Sequence, residues 1–400
     1  MPSFSTEERQ LLDDSLHGFL TANYSFERWR KISRAPEMEG FGRTEWAKYA
    51  ELGWLGVALP EAAGGAGGGM TELAIVMAAA GHYLVLEPLL GTIVLGAGAI
   101  EQVGTPAQGG NLLPQIAAGR LLLAFCHTEP GAGYARDWVC TVARRDSGGF
   151  CIDGEKTFAL GAHAADTLVV SARLGSPKGP VGLFLVPRSA SGVRLNVAPA
   201  LDGRLGATVS LTGARVAADA KLGDGDEDRL GAIDRLIDRG AVAVCAEACG
   251  AMAAETQATV AYLKTRQQFG QPLSKFQVLQ HRLVDMSVAG EEARAVVHAA
   301  LQALDDDAPR AQGSVWMAKA QTARSARFVG GQAVQLHGGM GMTDELAIGH
   351  YYKRLTLCET LFGDGEWYLK QIGTTAAAAT TPSDEDRQGA VGADAHRPRV

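Results

Sequence analysis

The sequence predicts an α+β fold, mostly α, in which a middle β domain lies between two helical domains. Residues 1–120 carry apolar side chains at helical spacing, residues 121–222 change to short alternating runs separated by turn residues, and residues 223–374 return to long helical patterns. A chain of 400 residues exceeds one ordinary hydrophobic core, so two or three domains are expected. Residues 375–400 hold few large apolar groups and are predicted to be a disordered tail.

The N-terminal helical domain is predicted to begin with an amphipathic helix over residues 4–22. Ser5 and Glu8 have the spacing of a capping box, in which each side chain bonds the backbone amide of the other residue. The glycine run at residues 64–69 is interpreted as a flexible loop rather than as a close-approach site. Further helices are predicted over residues 44–52, 70–84, 88–103 and 111–119.

The middle domain is predicted to be a small antiparallel barrel or sandwich. Its apolar runs are short, and Gly, Ser, Asp and Pro separate them, which is typical of strands joined by tight turns. Strands are predicted over residues 121–126, 139–144, 150–158, 167–173, 181–186, 193–199 and 208–216.

The C-terminal domain is predicted to be an antiparallel four-helix bundle. Long helical patterns joined by short connections are typical of that architecture. The four helices are predicted over residues 226–265, 274–304, 311–336 and 344–374.

The composition argues against several function classes. The formal net charge is −7 and the chain has no basic block, so a nucleic-acid partner is not expected. The polar residues 1–10 do not have the pattern of a signal peptide, and no apolar run is long enough to span a membrane. The six cysteines are scattered, and only Cys245 and Cys249 share a helix face, so neither a disulfide framework nor a metal site is expected. We therefore expect an intracellular, cytoplasmic protein.

Two stretches near helix ends indicate an anionic ligand. Residues 266–270 (RQQFG) follow a long Ala-rich helical pattern, and residues 335–341 (QLHGGMG) form a glycine-dense turn after another one. Glycine lets a backbone approach a ligand closely, and amides at helix ends favour anions such as phosphate. Together the two stretches could hold a diphosphate, although a glycine pair after a helix is more often only a C-cap.

Five motifs in this order resemble the acyl-CoA dehydrogenase family over roughly residues 5–372. The matching stretches are residues 59–65 (LPEAAGG), 128–133 (TEPGAG), 154–156 (GEK) with 165–166 (AD), 266–270 (RQQFG) and 335–341 (QLHGGMG). Residues 276–282 and 349–354 look most like the small subunits of heteromeric bacterial members of the pimeloyl-CoA dehydrogenase type.

The resemblance implies FAD as the cofactor and an acyl-CoA as the substrate. The substrate would be oxidised to a trans-2-enoyl-CoA, with electrons passing to an electron-transfer flavoprotein. The resemblance places Thr128 and Phe158 at the flavin ring, although Leu160 stands where family members usually carry a flavin-binding hydroxyl. Positions that contact the ADP part of FAD are matched by Arg266, Phe269, Gln277, Gln335, Gly338 and Gly339.

Simpler roles for these residues and the assembly state both stay open. Thr128 could be a strand cap, Arg266 a partner in a surface salt bridge and Phe269 a core residue. In the family, the positions of Gln335 and Gly339 reach the pyrophosphate from a neighbouring subunit. The resemblance therefore implies an oligomer, either a homo-oligomer or an α2β2 assembly with a paralogous acyl-CoA dehydrogenase subunit.

The position of the catalytic base is empty in this sequence. Removal of the α-proton requires a carboxylate near Cα, but the usual base position of the family falls on Phe362 and its second location on Gly240. Glu247 lies seven residues after Gly240 on the same helix face, among small apolar residues, and is the best remaining candidate. The alternatives for Glu247 are a structural pair with Arg or His and a contact with a polar group of the substrate.

Other titratable groups are expected to have structural roles or to lie at the surface. Asp238 is close to Gly240 but displaced by about half a helical turn. Glu255, Glu359 and Asp364 are expected at the surface, Glu345 as a helix cap, and His337 and His350 in structural roles.

Other function classes also remain open. By family analogy the same fold hosts flavin-dependent monooxygenases and nitroalkane-type oxidases, which often lack the acyl-CoA base. The chain could also be a non-catalytic subunit, or one whose paralogous partner supplies the base or part of the FAD site. Ala241, Ala248 and Ala251 predict a wide acyl pocket, compatible with a bulky or dicarboxylic acyl group.

Overall fold

The computed structural model describes residues 4–34, 39–309 and 311–380. Its N-terminal domain is helical, and the predicted capping box is present, since the Glu8 amide donates to Ser5 Oγ at 3.2 Å and the Ser5 amide donates to Glu8 Oε2 at 2.7 Å. The helices are α1 (Thr6–Asn23), α2 (Phe26–Arg34), α3 (Arg43–Glu51), α4 (Met70–His82), a π-helical segment (Leu90–Gly96), α5 (Ala97–Val103) and α6 (Pro106–Ala117).

The middle domain is a curled seven-stranded sheet. Its strands are β1 (Leu123–Cys126), β2 (Val142–Asp146), β3 (Gly149–Leu160), β4 (Thr167–Leu174), β5 (Val181–Pro187), β6 (Val193–Pro199) and β7 (Leu205–Ala217). They lie in the order β1-β4-β2-β3-β7-β6, with β5 also paired to β4. The sheet is mixed rather than wholly antiparallel, because β1 and β2 both run parallel to β4 along successive parts of its length.

The C-terminal domain is a helix bundle in which the last predicted helix is broken. Its elements are α7 (Leu230–Thr265), a short hairpin of β8 (Gln267–Gln268) and β9 (Gln271–Pro272), α8 (Gln277–Asp305), α9 (Ala311–His337), α10 (Ile348–Thr360) and α11 (Gly365–Thr380). A turn at residues 361–364 separates α10 from α11. Helix α11 continues to Thr380, past the predicted start of a disordered tail at residue 375, and residues 381–400 of that prediction lie outside the described residues.

Helix α4 packs closely against the middle of α7 and joins the N-terminal domain to the bundle. A Cβ at Gly81 would lie 1.8 Å from the carbonyl oxygen of Glu247, and a Cβ at Gly250 would lie 1.8 Å from that of Ala78. Only glycine fits at these two crossing points, because any side chain would collide with the facing backbone. Over the described residues, no helix combines the length and apolar character that crossing a bilayer requires.

Candidate active site

An open cavity lies where the three domains meet. Its interior offers about 220 Å³ of open space. The π-helical segment contributes Leu90, Gly91 and Leu95, α7 contributes Ile237, and the remaining walls come from β1, β3, the loop after β1 and the turn between α10 and α11. Insertions that widen a helix into a π turn are frequent at functional sites.

The rim on the β domain carries two residues predicted to contact the flavin ring. Thr128 is exposed at the end of β1, and its carbonyl accepts a 2.8 Å hydrogen bond from the Thr157 amide of β3. Phe158 follows with φ of +48° and a side chain that is 45% exposed toward the cavity. Leu160 also lines the cavity, so this wall has no hydroxyl at that position.

A buried ion pair beneath the rim explains two of the matched motifs. Glu129 follows Thr128 and contacts Lys156 Nζ at 2.6 Å, and Lys156 also donates to Ser171 Oγ at 2.9 Å. The Glu129 carboxylate also accepts from the amides of residues 140 and 141. Burial alone would raise the pKa of Glu129, but Lys156 and these hydrogen bonds outweigh it, so the pKa lies below its usual value. The pair therefore fixes the strand end that presents Thr128.

Both family positions for a base are brought together, and neither can accept a proton. Phe362 lies in the turn after α10 with φ of +64° and lines the cavity. A Cβ at Gly240 would lie 3.0 Å from Phe362 Cζ and 2.9 Å from Leu95 Cδ2. The Phe362 ring therefore occupies the space over Gly240 that a side chain there would need.

The turn that carries Phe362 is held from below by two buried residues. Lys319 of α9 donates to the carbonyl oxygens of residues 358, 359 and 361 at 2.8, 3.1 and 2.8 Å. Tyr368 donates from its hydroxyl to the carbonyl oxygen of Phe362 at 2.8 Å. These contacts satisfy carbonyls at the end of α10 and set the direction of the Phe362 ring.

Among the described residues that line the cavity, none is Asp or Glu. His127 lies in the wall, but its Nδ1 is 2.9 Å from Ser171 Oγ and its Nε2 is 3.0 Å from the Arg136 carbonyl, and burial lowers its pKa to about 3. Arg136 also lines the cavity and pairs with Asp238 at 2.8 Å, and its Nε has no protein partner in the described chain. Neither side chain is suited to take an α-proton.

The structure places Glu247, the candidate base, away from the cavity. Its carboxylate is 1% exposed, does not line the cavity, and contacts Arg354 Nη1 at 2.7 Å and Arg204 Nη1 at 3.1 Å. Asp202 contacts the same two arginines at 2.5 and 2.7 Å, which gives a buried network of two acids and two bases. The structural pair is the alternative that the geometry supports.

The other acidic candidates also have structural surroundings. Glu359 pairs with Arg327, and Asp364 accepts from the Trp367 amide at 2.8 Å and so caps α11. Glu255 was expected at the surface, but it is fully buried between α7 and its neighbours, and no hydrogen-bond partner lies near its carboxylate in the described residues. Burial raises the pKa of Glu255 well above its usual value. Gly330 of α9 lies beside this carboxylate, where a Cβ would come within 3.7 Å of Glu255 Oε2, and the pattern of α7 alone could not show that neighbour.

The residues predicted to contact the ADP part of FAD form an exposed cluster at one end of the bundle. Phe269, in the hairpin after α7, is 88% exposed with φ of +52°. The glycine turn lies beside it because Tyr262, near the end of α7, stacks on His337 at 4.3 Å between ring centroids. The members of this ADP cluster are Arg266, Phe269, Gln277, Gln335, Gly338 and Gly339, all exposed.

The ADP cluster and the cavity of one chain lie too far apart to share one cofactor. Ile237 lines the cavity, and α7 continues for 28 residues to Thr265. At 1.5 Å per residue this is about 42 Å along the helix, well beyond the reach of a single dinucleotide. The geometry therefore divides the predicted site residues into two groups that cannot serve the same FAD within one chain.

Three family profiles match the chain in sequence order. They are the acyl-CoA dehydrogenase N-terminal domain over residues 6–120, the middle domain over residues 124–211 and the C-terminal domain over residues 230–377. This chain belongs to the acyl-CoA dehydrogenase family. The fold and the family predicted from the sequence are confirmed, and so is an oxidoreductase that uses FAD, the cofactor of the family.

Similar proteins span most of the chain. Acyl-CoA dehydrogenase FadE12 of Mycobacterium tuberculosis is 33% identical, with 86% of this chain and 89% of that protein covered. The 3-(aryl)acrylate reductase of Clostridium sporogenes is 31% identical, with 80% and 86% covered. Among solved structures, the ChsE4–ChsE5 complex of Mycobacterium tuberculosis matches with a TM-score of 0.83 at 25% identity, covering 96% of this chain and all of that one.

The residues present fit an FAD shared between chains. An exposed arginine and a glycine turn in which a Cβ at Gly338 or Gly339 would meet no atom within 4 Å suit a diphosphate. Among the described residues, the aromatic ring near the exposed Phe269 ring is that of Phe276, at 6.0 Å between ring centroids. The Phe269 ring therefore suits stacking on a nucleotide base. At the cavity, the half-exposed Phe158 ring and the Thr128 rim offer a surface for a planar ring.

Sequence reasoning missed several residues that shape the site. Arg136 and Tyr134 follow directly after the TEPGAG motif and line the cavity, so their positions could have been found by extending that motif. Lys319 could not have been found, because the carbonyls it binds are 39 or more residues away, and the contact of Arg204 with Glu247 spans 43 residues.

Proposed function

We propose that this chain is a subunit of an FAD-dependent acyl-CoA dehydrogenase that oxidises an acyl-CoA to a trans-2-enoyl-CoA. The cavity at the domain junction has the largely apolar walls that suit an acyl chain. We describe the chain as a subunit because the described residues that line the cavity include no carboxylate. At the two base positions of the family, Phe362 packs over Gly240.

The residues of this chain supply binding and orientation rather than the proton acceptor. Bound FAD supplies the hydride acceptor. Leu90, Leu95 and Ile237 exclude water from the acyl chain, and Arg136 Nε is free to donate to a polar atom of the ligand. Loss of the α-proton still requires a base in reach of Cα, and His127 is excluded by its two existing contacts.

A paralogous chain in an α2β2 assembly is the proposed source of that base. Support comes from the exposed ADP cluster, which can reach only the cofactor of another chain. Further support comes from the similarity to the ChsE4–ChsE5 complex, which contains two different chains. We further propose that the electrons pass from the reduced cofactor to an electron-transfer flavoprotein.

The test is the bleaching of bound FAD by acyl-CoA thioesters without oxygen. We expect wild-type chain purified alone and loaded with FAD not to bleach, and the assembly co-expressed with a neighbouring paralogue to bleach. Phe362→Glu puts a carboxylate at the family base position and is expected to confer bleaching on the chain alone. Phe362→Gln, matched in size but unable to accept a proton, is expected not to do so.

Two results would contradict this proposal. Bleaching of the wild-type chain alone would show that a base lies within it. If none of a broad series of straight, branched and aryl acyl thioesters bleached the FAD of the assembly, dehydrogenation would be contradicted. Rapid reaction of the reduced chain with oxygen would then favour the oxidase or monooxygenase class.

Reduction of an enoyl thioester is a second candidate, favoured by the 31% identity to a protein named 3-(aryl)acrylate reductase. The same cavity would hold the double bond, and the proton would be delivered to Cα rather than removed. The test compares two rates: reoxidation of FAD in the photoreduced assembly by an aryl acrylyl thioester, and reduction of FAD in the oxidised assembly by the saturated thioester. A faster reoxidation would favour enoyl reduction.

A further inference from the structure

A second, smaller cavity adjoins the first, and three polar residues interrupt its largely apolar walls. The two share Leu90, Gly91 and Leu160 in their linings. The smaller one, called the distal chamber here, has about 20 Å³ of open space, which is room for one group of the size of a water molecule or a hydroxyl. Its polar lining residues are Glu87, His163 and Arg204. The partners of these three side chains decide what the distal chamber could hold.

Two polar atoms at the distal chamber lack protein partners within the described residues. Arg204 is 6% exposed, and its Nε and Nη1 contact Asp202 at 2.7 Å and Glu247 at 3.1 Å, whereas its Nη2 has no partner. His163 Nε2 lies 2.7 Å from the Glu39 carbonyl and therefore carries the hydrogen. Its buried Nδ1 is then an acceptor without a donor. Buried polar atoms without partners indicate a bound group.

The charges around the distal chamber favour an uncharged ligand. The positive charges of Arg204 and Arg354 are balanced by Asp202 and Glu247 in the buried network. The remaining acid, Glu87, is 3% exposed and accepts from the Gly42 amide at 2.9 Å. A carboxylate entering here would meet no net positive charge and would lie beside another carboxyl group.

We propose that the acyl site continues into the distal chamber, which recognises a hydroxyl group on the distal part of the acyl chain. The hydroxyl donates to His163 Nδ1 and accepts from Arg204 Nη2, which satisfies both atoms at once. This inference rests on the proposed function only in that the larger cavity takes an acyl thioester. It adds a substrate class, the acyl-CoA thioesters that carry a hydroxyl group on the acyl chain.

The test compares the binding of matched thioesters to the FAD-loaded assembly by anaerobic titration calorimetry. The probes are CoA thioesters of increasing chain length that end in a methyl, a hydroxyl or a carboxylate. We expect one chain length at which the hydroxyl form has a dissociation constant at least about tenfold lower than the methyl form. The carboxylate form of that length is expected to bind no tighter than the methyl form.

Variants assign that preference to the distal chamber. His163→Phe removes the acceptor and Arg204→Lys removes the free donor, and each is expected to reduce the ratio of methyl to hydroxyl dissociation constants to below about threefold. His298→Phe, on the exposed face of α8, is the matched control and is expected to keep the wild-type ratio. His163 lies outside the buried ion network, so its variant keeps the test valid if Arg204→Lys does not fold.

The outcomes separate this inference from the proposed function. Thioesters that bind with no preference for the hydroxyl at any length would overturn the inference and leave the proposed function standing. A preference that persists in His163→Phe and in folded Arg204→Lys would also overturn it. No binding of any thioester would overturn the proposed function, and the inference with it.

Discussion

Three phenylalanines with positive φ mark the site at the scale of single residues. Phe158, Phe269 and Phe362 have φ of +48°, +52° and +64°. Bulky residues rarely adopt this conformation, and where they do the strain is commonly associated with function. One lies at the cavity rim, one in the ADP cluster and one at the base position. The same conformation also occurs at Glu39, Leu84 and Asp307, so it accompanies the site positions without singling them out.

Glu247→Gln is predicted to affect stability rather than proton removal. The substitution removes one charge from a fully buried network and leaves Arg204 and Arg354 with a single acidic partner. Breaking a buried ion pair in this way costs about 3 kcal/mol. Urea unfolding of the variant should show that loss, and FAD bleaching by the assembly should survive in the fraction that folds.

The exposed Glu345→Gln is the control and should unfold like the wild type. Full stability of Glu247→Gln together with complete loss of bleaching would restore Glu247 as the base and contradict the structural assignment.

Glu87 is predicted to make the protein less stable as the pH rises. Burial raises its pKa from the ordinary value of 4.5 to about 7. Because the folded-state pKa is the higher one, the folded protein holds more protons than the unfolded chain between these values. The contribution of Glu87 to stability is therefore greatest below pH 4.5 and is lost as the pH rises through about 7, a change of about 3 kcal/mol.

Glu87→Gln should remove this part of the pH dependence, because the amide oxygen can still accept from Gly42 and cannot ionise. The free energy of unfolding, measured by urea at pH 5 and pH 8, should fall less for the variant than for the wild type. Equal falls in the two proteins would mean that Glu87 stays charged in the folded state.

At the scale of elements, the turn between α10 and α11 depends on Lys319. Its Nζ is buried and donates to three carbonyls of the turn and of the end of α10. Lys319→Met leaves those carbonyls without a donor, which should cost about 3 kcal/mol. Hydrogen exchange should become faster in peptides covering residues 356–366, with little change in the β domain.

Lys353→Met is the matched control, since Lys353 is partly exposed and lies 4.0 Å from Asp344. Uniformly faster exchange in the Lys319 variant would mean that this lysine stabilises the whole bundle rather than the turn.

Elements with strong local patterns were predictable from the sequence, whereas weak or non-local ones were not. Each of the seven predicted strands corresponds to a strand of the sheet, because alternation and turn residues are local signals. Helix α2 was missed because its run FERWRKISR is mostly charged and only Trp29 and Ile32 are buried. The break before α11 was missed because the two residues that hold the turn give no local signal. Lys319 is far from the turn in the sequence, and Tyr368 lies inside the next helix.

The candidate site was predictable to the extent that it consists of motifs. Thr128 and Phe158 lie at the cavity, and the ADP-contacting residues form one cluster, because each stretch is short and keeps its spacing. The ion-pair surroundings of Glu247 were not predictable, because its partners Arg204 and Arg354 are 43 and 107 residues away. A helix pattern shows that a carboxylate is buried but not which charge lies opposite it.

At the scale of the whole molecule, the buried charge network joins all three domains. Arg204 comes from the connection between β6 and β7, Glu247 from α7 and Arg354 from α10. Arg354 also donates to the carbonyls of residues 84 and 85 in the N-terminal domain. The walls of the cavity, which come from the same three domains, are therefore held in one arrangement by a single cluster next to the distal chamber.

The separation of about 42 Å along α7 between cavity and ADP cluster predicts that FAD binding can be complemented between chains. Arg266→Ala with Phe269→Ala removes the cluster while leaving the cavity, and Thr128→Trp blocks the cavity while leaving the cluster. Each variant, co-expressed with the paralogue, should lose part of its FAD without losing stability, because all three side chains are exposed.

The complementation experiment uses assemblies that contain both variants, selected by two different tags. If two copies of this chain face each other, these mixed assemblies should regain about one FAD for each such pair. If the paralogue faces this chain, the mixed assemblies should regain no FAD. The cluster variant alone should then remove FAD from the cavity of the paralogue. Full FAD content in the cluster variant would contradict both arrangements, because it would mean that Arg266 and Phe269 do not contact the cofactor of any chain.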